Sequence, residues 1–162
     1  MSSNPSPNLT AEAHEYRRHV EQSMLTMAGV FIGVTLLSLT FLANPSLALA
    51  KAIVIGASFA LLGSALLFTI ASLMILIAMS VREETYESFS ASYELGRYYR
   101  GLPAEQKKLI EGALGSAIAG SLEKARVSLP LSKKYRLAAS VLFGMGIGAF
   151  VFALVIITIG LI

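Results

Sequence analysis

Three runs of this chain contain no ionisable residue: 24–43, 52–80 and 137–162. A helix of about 20 residues crosses a hydrocarbon core about 30 Å thick. Each run reaches that length, so the pattern predicts three membrane-spanning helices. Their emptiness constrains the chain as much as their length does. Charged groups inside a bilayer mark ion paths, proton relays and voltage sensors, and these runs have none. The pattern therefore speaks of where the chain lives and how its helices meet, and not of a reaction.

Composition agrees with that class. The chain of 162 residues is 55% hydrophobic and only 14% charged, as expected of a membrane protein. It has no Cys, which removes disulfides, thiolate nucleophiles and Cys metal sites. Asp and Trp are also absent. The net charge of +3 comes from Lys and Arg interleaved with Glu. No long basic block points to nucleic acid.

Lys and Arg beside membrane ends set orientation, with the basic side cytoplasmic. Three passes place residues 1–23 and 81–136 on one side, and 44–51 and the C-terminus on the other. Of the thirteen Lys and Arg residues, twelve fall on the first side and Lys51 alone on the second. The expectation is a cytoplasmic N-terminus and an outward C-terminus in a plasma or inner membrane. Lys133, Lys134 and Arg136, just before the third run, form the clearest lipid-headgroup anchor. Arg17-Arg18, an apolar run and Ala48-Leu49-Ala50 imitate a cleavable secretory leader. The run and leader are too long for one, so no cleavage is expected. Asn8-Leu9-Thr10 matches a glycosylation sequon, but on the side where it would not be modified.

The expected fold is all-α: three transmembrane helices, an amphipathic N-terminal helix, and a cytoplasmic helical hairpin between spans 2 and 3. The segments are a tail and amphipathic helix over 1–23, a membrane hairpin over 24–80, a cytoplasmic hairpin over 81–136 and a third span over 137–162. Residues 1–9 read as a tail, with Thr10 as N-cap and Glu12 in the first turn. Tyr16 and Val20 share an apolar face, while His14, Arg17, Arg18 and Glu21 crowd another. His14 and His19 are spaced poorly for one metal, and pairing with Glu15 is the simpler reading. Asn44-Pro45-Ser46 breaks the first helix from the second. The second is expected to continue past the membrane through Arg100, with Tyr86, Phe89, Tyr93 and Gly96 as an aromatic stripe. Gly101-Leu102-Pro103 turns the chain. A separate helix over 104–127 then offers Leu109, Ile110, Ala113, Leu114, Ala117, Ile118, Leu122 and Ala125 to cover that stripe. Ser128-Leu129-Pro130 is expected to end it.

Helices in lipid meet through small residues that allow close approach. Rotation by about 100° per residue sorts them into faces. The first span groups Thr26, Gly29, Gly33 and Thr40, including a literal GxxxG. The second groups Gly56, Ala60, Gly63, Ser64 and Ala71, with Ser58, Ala65, Thr69 and Ser72 opposite. The third groups Ser140, Gly144, Gly148 and Thr158 on one side, and Ala139, Gly146, Ala149, Ala153 and Gly160 on the other. A row of three helices leaves one face of the third span spare. That face is the candidate contact with a second copy or another membrane subunit.

No phosphate loop, metalloprotease pair or nucleophile elbow occurs. No His lies in a run to ligate a haem, and no cofactor is expected. The leading expectation is a non-enzymatic structural or accessory subunit of a membrane assembly, in contact with lipid and with itself or other subunits. The alternative is a homo-oligomeric ion pore. Ser58, Thr69 and Ser72 would line it, and Glu83, Glu84 and Glu87 would ring its cytoplasmic mouth. A membrane enzyme would have to work from that same Glu cluster and Tyr86.

Overall fold

A computed structural model describes the backbone of residues 7–44 and 49–161, and side chains from His14 onward within those limits. Among the described residues the chain is three helices: α1 (Pro7–Leu42), α2 (Lys51–Gly101) and α3 (Ala104–Leu161). There are no strands among them. Each helix contains a stretch long and apolar enough to cross a membrane. At 51 and 58 residues, α2 and α3 far exceed the length a crossing needs.

The N-terminal boundary differs from the expected one. Helix α1 already begins at Pro7, so Thr10 lies inside it and is not its cap. Proline suits a first helical position, because the N–H it lacks would have no partner there. Of the breaker Asn44-Pro45-Ser46, Pro45 and Ser46 lie outside the described residues. Helix α2 opens on Ala50, whose carbonyl accepts from the amides of Ile53 and Val54 at 2.9 and 3.2 Å. It ends at Gly101, and α3 starts three residues later.

Helix α3 does not stop at Ser128-Leu129-Pro130. It runs on through Pro130 as one helix. Pro130 cannot donate to the carbonyl of Arg126, and both residues are exposed. Two contacts with α2 bracket the proline. The Ser128 and Thr85 hydroxyls lie 2.6 Å apart, and Ser132 Oγ donates to the Ala78 carbonyl at 2.9 Å. Tertiary contact on both sides outweighs the local break.

The chain divides into two compact units. The first joins the stretch up to Ile75 with the stretch from Leu137 onward. On α1 its buried residues are Glu21, Ala28, Thr35 and Leu42, every seventh position. On α2 they are Ala57, Leu61, Ser64, Phe68, Ala71 and Ile75, in alternating steps of four and three. On α3 they include Ala139, Gly146, Ala153 and Ile157. A repeat averaging 3.5 residues is the signature of helices packed along a left-handed seam. Leu42, Ala57, Leu61, Phe150, Ala153 and Ile157 form its apolar core.

The second unit is Leu76–Arg136. Here α2 and α3 run antiparallel, and the buried residues are mostly small or polar: Ala78, Arg82 and Thr85 on α2, Ser121, Ala125 and Ser132 on α3. The aromatic stripe does not pack against the aliphatic face as expected. Phe89 and Tyr93 remain 38% and 56% exposed, and Leu109 is 85% exposed. The seam instead follows Thr85 and Ser92, whose small side chains permit the closer approach. Ser92 Oγ meets the Ala117 carbonyl at 3.4 Å, a long bond. On α1 the phase is likewise reversed. Glu21 is buried, whereas Tyr16 and Val20 face outward, because Glu21 falls on the seven-residue repeat of Ala28 and Thr35. His19 Nε2 lies 4.0 Å from Glu15 Oε1, both well exposed.

Candidate helix-association site

The small residues of the first unit sort into a covered set and a bare set. Gly146 is covered. A Cβ there would lie 3.0 Å from the Phe68 ring, and Ser64 Oγ donates to the Gly146 carbonyl at 2.8 Å. Both groups are buried. Gly160 is covered too, with Ile53 and Leu49 side chains within 3.1 Å of such a Cβ. Ala139 and Ala153 are fully buried. This side of α3 therefore packs inside the chain.

The other side is open. Ser140, Gly144, Gly148 and Thr158 are exposed, and a Cβ at Gly144 or Gly148 would meet nothing within 4 Å. The same holds for Gly29 and Gly33 on α1, where Thr26 and Thr40 are also exposed. The literal GxxxG of α1 is thus turned away from the bundle, as is the Gly144/Gly148 pair at the same spacing. On α2, Ser64 and Ala71 are buried, while Gly56, Ala60 and Gly63 are half-buried. Ala60 packs on the core, but Gly56 and Gly63 would admit a Cβ freely.

Outward hydroxyls bond to their own helices. Thr26, Thr40 and Thr158 donate to the carbonyl four residues earlier at 2.8–3.0 Å. So do two of the three suggested pore-lining groups, Thr69 to Ala65 and Ser72 to Phe68, at 2.8 and 2.9 Å. Such bonds let a hydroxyl face hydrocarbon without an unmet donor. Ser58 is half-buried.

The charged candidates lie in the second unit. Lys124 Nζ sits 2.6 Å from Glu84 Oε1. Glu83 is half-buried and Glu87 exposed. Lys133, Lys134 and Arg136 are all exposed on α3. Among the described residues no three His, Cys, Asp or Glu side chains gather to hold a metal.

Two features escaped the reading of residues. One is an aromatic cluster drawn from all three helices. The Phe31 and Phe68 rings stack at 4.9 Å, Phe143 stands edge-on to both, and Phe150 stands edge-on to Phe31 at 5.9 Å. The other is the polar seam of the second unit, with the Arg82 side chain buried three residues before Thr85. Its signal was a small or hydroxylated residue at seven-residue spacing, Ala78-Thr85-Ser92 on α2 and Ala125-Ser132 on α3.

Comparison with protein-family models, with curated proteins and with solved structures gives no match to this chain.

Proposed function

We propose that this chain is a non-enzymatic membrane protein that associates laterally, with a second copy or another subunit, through the bare glycine faces of α1 and α3. The observation that carries this reading is the contrast among glycines. Gly146 and Gly160 meet side chains of their own chain, whereas Gly29, Gly33, Gly144 and Gly148 meet none. A glycine inside a helix gives up side-chain packing and about 1 kcal/mol of helix propensity relative to alanine in water. In lipid, a pair four residues apart exposes backbone against which another helix can settle closely.

The spans place no convergent acid, base or nucleophile in the bilayer, which supports the non-enzymatic reading. The Lys and Arg bias supports a cytoplasmic N-terminus and a cytoplasmic hairpin over 81–136, with Lys133, Lys134 and Arg136 at the headgroups. A pore draws no support from Thr69 and Ser72, whose hydroxyls serve their own backbone, or from Glu84, which pairs with Lys124.

The deciding experiment is the native mass in mild detergent and in lipid nanodiscs. The wild-type chain should run as a multiple of 17.2 kDa or with a co-purifying subunit. The double variants Gly144→Leu/Gly148→Leu and Gly29→Leu/Gly33→Leu should shift it toward the monomer. Met27→Leu/Val34→Leu, at exposed positions about 100° or more around α1 from both of its glycines, should not. A wild-type chain that travels alone as a monomer overturns the reading.

A further inference from the structure

We infer that one flank of the Leu76–Arg136 hairpin is a docking groove for an acidic amphipathic helix of a partner protein. A recess of about 300 Å³ lies between α2 and α3 in this unit. Phe89, Tyr93 and Gly96 form one wall, and Ile118 and Leu122 the other. Ser92 and Ser121, on the seam, line it as well. Tyr86 and Leu129, at 42% and 48% exposure, extend the apolar rows beyond the recess. Tyr86, Phe89 and Tyr93 recur at i, i+3 and i+7, the row that a third helix packs against when it lies in the groove between two others.

Charge states which helix fits. On α2, Arg97 and Arg100 fall within about 40° of Tyr93 around the axis, at about 100° per residue. Glu83, Glu84, Glu87 and Glu94 all fall about 80° or more away, on the other flanks. On α3, Lys108, Arg126 and Lys133 fall within about 40° of Leu122, while Glu105 and Glu123 lie about 100° off. Glu111 is the one acidic residue on the groove side. Arg97, Arg100, Lys108 and Arg126 are all exposed. The result is an apolar groove rimmed by cations, with every acid of the hairpin but Glu111 turned away. Its complement has an apolar stripe flanked by Asp or Glu, and such pairing sets both partner choice and orientation. A bilayer surface also offers anionic groups, but it is flat, and the apolar row here flanks a recess.

The inference rests on the reading that residues 81–136 stand outside the bilayer, and the test separates the two. The chain has no Trp, so Tyr93→Trp supplies a single reporter in nanodiscs of phosphatidylcholine. Acrylamide should quench it freely. A Trp shielded before any peptide is added refutes the placement outside the membrane, and the groove with it. The probes are three peptides of about 18 residues, long enough to form helix on a surface. One has Leu at i, i+3, i+4 and i+7 flanked by Glu. The second replaces Glu by Lys. The third keeps the Glu composition but scrambles the Leu positions.

The Glu peptide should blue-shift the Trp emission and bind at least about tenfold more tightly than either control. Phe89→Ala, at an exposed position, should weaken it about tenfold. Arg100→Glu with Arg126→Glu should reverse the preference toward the Lys peptide, a gain that misfolding cannot produce. Equal binding of all three peptides, or none, with an exposed Trp overturns the groove alone. A blue shift on adding phosphatidylglycerol without peptide assigns the flank to the lipid surface and also overturns it.

Discussion

Gly144 and Gly146 are two residues apart and identical in type, yet they sit in opposite environments. A methyl group at Gly146 would press on the Phe68 ring, and Phe68 is fully buried. Gly146→Ala should therefore destabilise the first unit by about 1–3 kcal/mol, the usual cost of overpacking. Gly144→Ala, whose methyl would meet nothing, should be neutral or stabilising by up to about 1 kcal/mol. Unfolding in mixed detergent micelles measures both, and equal effects would contradict the packing described. Ser64→Ala tests the neighbouring contact. Hydroxyl bonds between helices in lipid average about 0.6 kcal/mol, and a loss of that order is expected. At this scale the sequence was partly legible. Small-residue faces can be read from rotation alone. Which face turns inward cannot, because the choice depends on Phe68 reaching across to α3. The Phe quartet was hidden for the same reason: a Phe inside an apolar run looks like any other apolar residue.

Helix α3 shows where a local rule yields to context. The pattern Ser128-Leu129-Pro130 reads as a stop, and in a free peptide it would act as one. Here the contacts from Ser128 and Ser132 to α2 hold the helix on both sides of the proline. Pro130→Ala restores an amide donor for the Arg126 carbonyl. It should stabilise the hairpin by roughly 1–3 kcal/mol. Hydrogen exchange over residues 126–134 should slow accordingly, and unchanged exchange would mean that the helix is already broken there. By contrast, Lys124→Ala should cost less than about 1 kcal/mol, since its Glu84 partner is largely solvated. That small effect should vanish in high salt. The aromatic stripe misled for a related reason. Hydrophobicity favours burying Phe89 and Tyr93, but helix spacing is set by the smallest residues on the seam. Thr85 and Ser92 therefore fixed the phase. A count of small residues at seven-residue spacing, in place of apolar ones, would have found it.

At the scale of the whole molecule, the length and emptiness of the three apolar runs already implied three helices able to span a membrane, and three such helices are present. Orientation belongs to the same scale, and it is argued from charge. A reporter fused after Ile162 should be active outside the cytoplasm. Replacing Lys133, Lys134 and Arg136 by Gln should give a mixed population, because the anchor before the last crossing is then gone. A wholly cytoplasmic reporter in the wild type would reverse the assignment. Function was least legible, for a physical reason. The lateral association proposed above would use backbone exposure and shape, and these leave no catalytic constellation in the residue order.

The contact between Phe68 and Gly146 has one more use. Circulating π electrons in a phenyl ring shift the resonance of any proton held against it. The α-protons of Gly146 should thus resonate away from their usual glycine position whenever α2 and α3 are correctly joined, and return to it when they part. One isotope-labelled glycine would then report, in any detergent or lipid, whether the bundle is assembled.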